Sequence, residues 1–174
     1  IAVGTKIYTL GWFNHTNDGY EIYCLDTVSN TFTLCSGSAP YAGGIAACAI
    51  GKRIYCFGGR MVNSQASNVI QYYDTVEQKV TQITQRLPVN TYAMGCCTVD
   101  GKIVYLFGGF SEKTKIYKFN TQSETLEVVN STIPIQIQGE WCSSVGFDIY
   151  LIGGSSGGIF YTSVVKFSLS TPLQ

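Results

Sequence analysis

The sequence predicts an all-β protein built from repeated copies of one small antiparallel sheet. Three observations predict it: a residue mix that favours strands, a nine-residue motif that recurs four times, and a second block that recurs in phase with the first. Among 174 residues, Ile and Val together number 30 against 9 Leu, with 17 Thr, 12 Tyr and 19 Gly. β-branched and aromatic side chains suit a pleated, half-buried surface, and glycine marks turns. No stretch reads as a long amphipathic helix.

The nine-residue motif defines the repeat. Gly51-Lys-Arg-Ile-Tyr-Cys-Phe-Gly-Gly59 matches Gly101-Lys-Ile-Val-Tyr-Leu-Phe-Gly-Gly109 and Gly146-Phe-Asp-Ile-Tyr-Leu-Ile-Gly-Gly154. The first copy is Gly4-Thr-Lys-Ile-Tyr-Thr-Leu-Gly11-Trp12. Its tyrosine recurs as Tyr8, Tyr55, Tyr105 and Tyr150, at intervals of 47, 50 and 45 residues. In the second block, Ile22-Tyr-Cys-Leu-Asp26 matches Ile70-Gln-Tyr-Tyr-Asp74, Ile116-Tyr-Lys-Phe-Asn120 and Val164-Val-Lys-Phe-Ser168. A large apolar residue follows seven places after the fourth member in the first three copies: Leu25 to Phe32, Tyr73 to Val80, Phe119 to Leu126. A proline (Pro40, Pro88 or Pro134) precedes each later glycine pair by 18 to 20 residues.

Each repeat then offers four short strands. In the second they are expected near 45–50, 53–57, 68–74 and 79–84. The turns at 50–53 and 99–102 read as tight hairpins in which glycine supplies a positive φ. The pair Gly58-Gly59 closes the second strand, where a missing Cβ lets the backbone bend or another segment approach. One four-stranded sheet cannot bury both its faces, so radial stacking of sheets is expected.

The glycine pairs and the Asp-like turn resemble the kelch repeat, whose unit of about 50 residues carries a Gly-Gly pair, a later aromatic and a tryptophan about seven residues on. The likeness covers essentially the whole chain. It departs from the family where the tryptophan position holds Phe32, Val80 and Leu126, and where Trp12 replaces the second glycine of the first copy. The resemblance implies a kelch-type β-propeller of four-stranded antiparallel blades, at roughly 1–38, 39–85, 86–130 and 131–174. The chain begins inside a first strand and ends inside a fourth, which gives nearly four blades. Most kelch propellers have five to seven, so further blades, from the same or another chain, are expected against its ends. Ile1, without Met or leader, points to a piece of something larger.

Composition excludes several classes. Eleven basic and eleven acidic side chains give a net charge of zero, and no basic cluster exceeds Lys52-Arg53, so duplex nucleic acid is not an expected partner. Charged residues are 13% of the chain, yet 45% is hydrophobic, which separates it from disordered chains. The longest apolar run, 45–50, is far short of the roughly 20 residues that span a bilayer, so membrane insertion is not expected.

The seven cysteines cannot all pair internally. Cys97 and Cys142 align with Ala47 on the innermost strand, Cys56 aligns with Leu106 and Leu151, and Cys48 and Cys96 also sit on inner strands. They read as free thiols serving as small hydrophobes. Cys24 and Cys35 stay open. With Leu25 opposite Phe32, Cys24 faces Thr33 and Cys35 is its diagonal neighbour, about 7–8 Å away at Cα. That is slightly too far for a disulfide, unless a register slip or bulge closes the gap. Asn14-His-Thr16 and Asn130-Ser-Thr132 are sequons that would be glycosylated in a secreted protein. The odd, core-like cysteines lean instead towards the cytoplasm.

Catalytic and cofactor chemistry is not expected. His15 is the single histidine, and no Gly-x-Ser-x-Gly elbow accompanies it. A zinc site without histidine partners is not expected, nor is a histidine-rich copper centre. Asp26, Asp74 and Glu77 recur in repeat turns, which suits turn chemistry rather than a facing pair of glycosidase carboxylates. The run Ile152-Gly-Gly-Ser-Ser-Gly-Gly158 lacks the Lys-Ser/Thr and helix of a phosphate loop and reads as a flexible loop.

The antiparallel order gathers the longer loops at one end: 12–19, 60–67, 110–113 and 155–161, with 36–44, 85–92 and 130–139. Loops on a repeating scaffold carry function. These hold Trp12, Phe13, Tyr41, Arg60, Arg86, Tyr92 and Phe110, of the types enriched at interaction hot spots. Trp141 is expected to fill the channel mouth. The resulting expectation is a non-catalytic protein-binding scaffold, of the adaptor or cytoskeletal-organiser kind the resemblance implies. The alternatives are an extracellular adhesive propeller, or part of an enzyme whose catalytic residues lie elsewhere.

Overall fold

The computed structural model describes residues 1–13, 20–39, 43–61 and 63–169. The all-β expectation holds: strands and their turns account for the described chain, in two compact units, Ile1–Tyr92 and Ala93–Gln174. The first unit holds two four-stranded antiparallel sheets. One is β1 (Ala2–Val3), β2 (Lys6–Phe13), β3 (Tyr20–Asp26) and β4 (Thr31–Ala39); the other is β5 (Ala46–Ile50), β6 (Arg53–Phe57), β7 (Ser67–Asp74) and β8 (Lys79–Thr91), each in sequential order. The second unit holds β9 (Gly95–Thr98), β10 (Ile103–Phe107), β11 (Lys115–Asn120) and β12 (Thr125–Thr132). Its other sheet is β13 (Trp141–Val145), β14 (Asp148–Ile152) and β17 (Val164–Ser168), with a small hairpin of β15 (Ser155–Ser156) and β16 (Ile159–Phe160) inserted. This fourth sheet has three strands among the described residues; the expected start of a fourth falls at 170–174, outside them.

The seven-residue spacing is the register of the third and fourth strands. Leu25 opposes Phe32, Tyr73 opposes Val80, and Phe119 opposes Leu126. The second and third strands keep a common register too: Lys6 pairs with Asp26, Arg53 with Asp74, Ile103 with Asn120 and Asp148 with Ser168. Tyr8, Tyr55, Tyr105 and Tyr150 each lie two residues beyond the first of these partners.

The turn residues show why the block recurs. Asp26 Oδ1 accepts from the backbone N–H groups of Val28 and Ser29 at 2.9 and 3.1 Å. Asp74 does the same for Val76 and Glu77, and Asn120 for Gln122 and Ser123. The side chain that ends each third strand thus holds the following residues in an Asx turn. The threonine that follows fastens the turn to the neighbouring hairpin. The hydroxyls of Thr27, Thr75 and Thr121 donate to the carbonyls of Thr5, Lys52 and Lys102 at 2.7, 2.8 and 2.8 Å.

Within each unit the two sheets bury apolar side chains against one another. In the first, Tyr8, Ile22 and Cys24 pack with Ile54, Cys56 and Tyr73. In the second, Cys97, Phe107 and Ile116 pack with Ile149 and Leu151. The Phe107 and Phe167 rings meet edge-on at 5.7 Å.

Three details differ from the sequence reading. β8 continues to Thr91 instead of stopping near 84, because Ile83, Leu87 and Thr91 are all buried. Pro88 is tolerated there since β8 is an edge strand. The alignment of the inner cysteines shifts by one: Ala47, Cys96 and Cys142 oppose Cys56, Leu106 and Leu151, whereas Cys97 opposes Tyr105, as Cys48 opposes Tyr55. Finally, 155–160 form a hairpin, not a loose loop. Gly157 and Gly158, at φ +57° and +84°, supply its two-residue turn.

Candidate interaction face

The glycine pairs build the loop-bearing end. Gly58 and Gly108 sit at φ +60° and +57°, a region that costs other residues about 1–2 kcal/mol. Gly59 N–H donates to the Thr91 carbonyl at 2.9 Å, and Gly109 N–H to the Ile137 carbonyl at 3.1 Å. Thr91 and Ile137 each stand four residues before the next innermost strand. The pair thus clamps the segment that leaves the sheet. A Cβ on Gly58 would lie 2.4 Å from the Thr91 oxygen, and one on Gly108 2.4 Å from the Ile137 oxygen. Gly153 and Gly154 repeat the positive φ; a Cβ on Gly154 would lie 2.5 Å from Ile137 Cγ1. Gly11 lies within β2, where the ladder with β3 shifts register between Leu10 and Trp12.

Hydrogen bonds between these loops show that they gather at one end within each unit. In the first, Arg60 bridges to Gly43 and Ala66. In the second, Gln138 and Ser155 exchange backbone hydrogen bonds at 3.0 and 2.8 Å, and Ile137 N–H donates to Lys113.

The predicted contact residues divide by environment. The Arg60 guanidinium lies 4.8 Å from the centre of the Tyr92 ring, a cation–π pair at the loop end. Phe110 is 49% exposed. It borders an open depression of about 340 Å³ with Glu112, Lys113, Lys115 and Gln136. Lys113 Nζ donates to Ser156 Oγ at 3.4 Å, and the Tyr117 hydroxyl donates to Glu112. A second depression, about 560 Å³, is lined by Met61, Gln65, Asn68 and Asn90. Arg86 is on β8, not in a loop. Its guanidinium turns onto the carbonyls of Ile83, Thr84 and Gln85, where it holds a bulge opposite Val69. Trp12 and Phe13 lie on β2. Asn130 is on β12. Tyr41, Asn14, His15 and Pro40 lie outside the described residues. Trp141 begins β13 as expected and is 80% exposed. It heads a row with Ile152 and Val164 on the uncovered face of the fourth sheet.

One residue escaped the sequence reading. Glu140 is 6% exposed; its Oε1 accepts from Gly95 N–H at 3.2 Å, and its Oε2 has no hydrogen-bond partner. Burial pushes its carboxyl up to about 7. The signal was present: the residues equally placed before β5 and β9 are Ile45 and Met94, so Glu140 is a charge in an apolar column.

A family model described as the KLHDC2/KLHL20/DRC7 Kelch-repeats domain matches residues 44–172. The chain belongs to the kelch-repeat family. Its four sheets are kelch blades. The first blade lies wholly before the matched range. It keeps the kelch turn at Asp26-Thr27 although Trp12 replaces a glycine.

Proposed function

We propose that this kelch domain is a non-catalytic scaffold, of adaptor or cytoskeletal-organiser type, that binds a protein partner at the loop-bearing end of its blades. One observation carries the reading: exposed Phe110 beside Lys113 and Lys115 on a depression anchored by the Gly108-Gly109 clamp. An aromatic ring next to two ammonium groups suits an extended segment with one apolar and one acidic side chain. Two of the acids the fold displays, Asp26 and Asp74, are engaged in turns, which supports the non-catalytic part. Selection from a random peptide library on the purified chain tests this. Enriched sequences should combine an acid with an apolar residue and lose affinity at least tenfold for Phe110→Ala and Lys115→Ala. Lys102→Ala, in the turn at the other end of β10 in the same unit, should bind normally. Enrichment that ignores Phe110 and Lys115 would overturn it.

The fourth blade supports a proposal about assembly. In the third blade the row of Phe107 and Ile116 is fully buried and packs on the fourth. The equivalent row of the fourth blade, Trp141, Ile152 and Val164, is 80%, 45% and 59% exposed. This face receives a further kelch blade, in keeping with a propeller of five to seven.

A further inference from the structure

At the turn end of the first unit, away from the loops, a crevice of about 70 Å³ is lined by Tyr8, Cys24, Cys35 and Tyr73, with Lys6, Thr75 and Gln78 at its margin. Cys24 lies on β3 and is buried; Cys35 lies on β4 and is partly exposed. Cys24 opposes Thr33, so the regular ladder would leave Cys35 a diagonal neighbour on the same face. The ladder is not regular there. Its register shifts between Glu21 and Tyr23: Tyr23 opposes Leu34 but Glu21 opposes Ser38. The irregularity takes in residues 35–37, and bulges bend the strand and re-aim its side chains. Both thiols are unbonded and interact with each other. The Tyr73 hydroxyl, almost wholly buried, interacts with the Cys35 thiol.

We propose that Cys24 and Cys35 are an oxidisable dithiol that a small hydroperoxide converts to a cross-strand disulfide. The chemistry balances in two steps. The Cys35 thiol loses its proton to water, and its sulfur attacks one peroxide oxygen. The O–O bond breaks, the other oxygen leaves as hydroxide and is protonated, and Cys35 becomes a sulfenic acid. Cys24 sulfur then attacks Cys35 sulfur and expels the sulfenic oxygen as water, which takes the Cys24 proton. Two thiols lose two electrons and two protons, and one peroxide becomes two waters. Cys35 goes first because it is the more exposed. The crevice accommodates hydrogen peroxide and excludes bulky oxidants.

Tyr8, Tyr73, Cys24 and Lys6 face the Cys35 sulfur. Burial raises the Cys35 thiol above its ordinary range, so oxidation is slow near neutrality and accelerates with pH. A second neighbouring pair, Cys97 and Cys142, separates location from mere proximity. Cys142 is held strongly in its thiol form by Cys97, burial and the Glu140 carboxylate, and should react later.

Hydrogen peroxide at pH 8 on the reduced full chain, followed by alkylation, digestion and mass mapping, tests the proposal. The expected product links the Cys24 and Cys35 peptides with the loss of two hydrogens, while Cys97 and Cys142 remain alkylatable after unfolding. Cys24→Ser should leave Cys35 as a sulfenic acid that a cyclic dione traps. Oxidation should raise the melting temperature of the wild type and leave that of Cys35→Ser unchanged. Over-oxidised Cys35 beside a free Cys24, or closure of Cys97–Cys142 first, would overturn it.

Discussion

Glu140 is the residue at which burial and charge conflict most directly. Its carboxyl titrates near 7 in the folded chain, against an ordinary 4.5. The unfolded chain therefore gives up this proton first as pH rises. Folding stability falls between about pH 4.5 and 7, by a maximum of about 3 kcal/mol, and then levels. Glu140→Gln keeps an acceptor for Gly95 N–H without the charge. We expect it to match the wild type at pH 5 and to exceed it by about 2–3 kcal/mol at pH 8 in urea titrations. A flat wild-type profile from pH 5 to 8 would show that Glu140 stays ionised. The glycines provide a second residue-scale comparison. Gly101 and Gly108 both have positive φ, but a Cβ on Gly101 meets nothing within 4 Å. Gly101→Ala should cost about 1 kcal/mol. Gly108→Ala must also displace the Ile137 carbonyl, so a loss of about 3 kcal/mol or more is expected. Equal midpoints for the two variants would remove the clamp from the account.

At the scale of the element, the recurring unit is the turn between third and fourth strands. Its acid is an acceptor for two backbone N–H groups. Those bonds hold the carboxyls of Asp26 and Asp74 below the usual range, so their contribution is present above the ordinary carboxylate pKa and fades as pH falls through the lowered one. Asn120 performs the same task uncharged. Asp74→Asn should therefore be nearly neutral, whereas Asp74→Ala should cost about 1 kcal/mol and speed amide exchange at Val76 and Glu77. If Asn and Ala prove equally destabilising, the charge, through the Arg53 pair at 3.6 Å, matters more than the turn. Most of this element was readable beforehand. The seven-residue spacing of Leu25 and Phe32 became a register, because a turn of fixed length sets which residues oppose. β8 was misjudged, because its last seven residues are held extended by the glycine clamp and by burial of Leu87, not by local propensity.

At the scale of the whole molecule, each unit is a pair of kelch blades with its own core. The fourth blade leaves the Trp141–Ile152–Val164 row open, and an apolar sheet face of this kind invites association. The chain of 174 residues should self-associate with rising concentration in sedimentation experiments. Ile152→Lys with Val164→Lys should suppress this without changing strand content. A wild type that stays monomeric at high concentration would count against the further-blade proposal.

The amino-acid sequence by itself determined the repeat, the strands, the turns and the glycine pairs. Each of these rests on residues close together along the chain: an Asx side chain beside the N–H groups it caps, a glycine where φ must be positive. Candidate contact residues were legible only as residue types. Tertiary structure decided that Arg86 serves a bulge while Arg60 meets Tyr92. It also decided that Glu140 is buried, and that Cys35 sits where the β3–β4 ladder becomes irregular. These outcomes depend on partners supplied by another strand or another blade, and on how much water those partners exclude. Desolvation and cross-strand contact are properties of the packed chain, and no local pattern of residues encodes them.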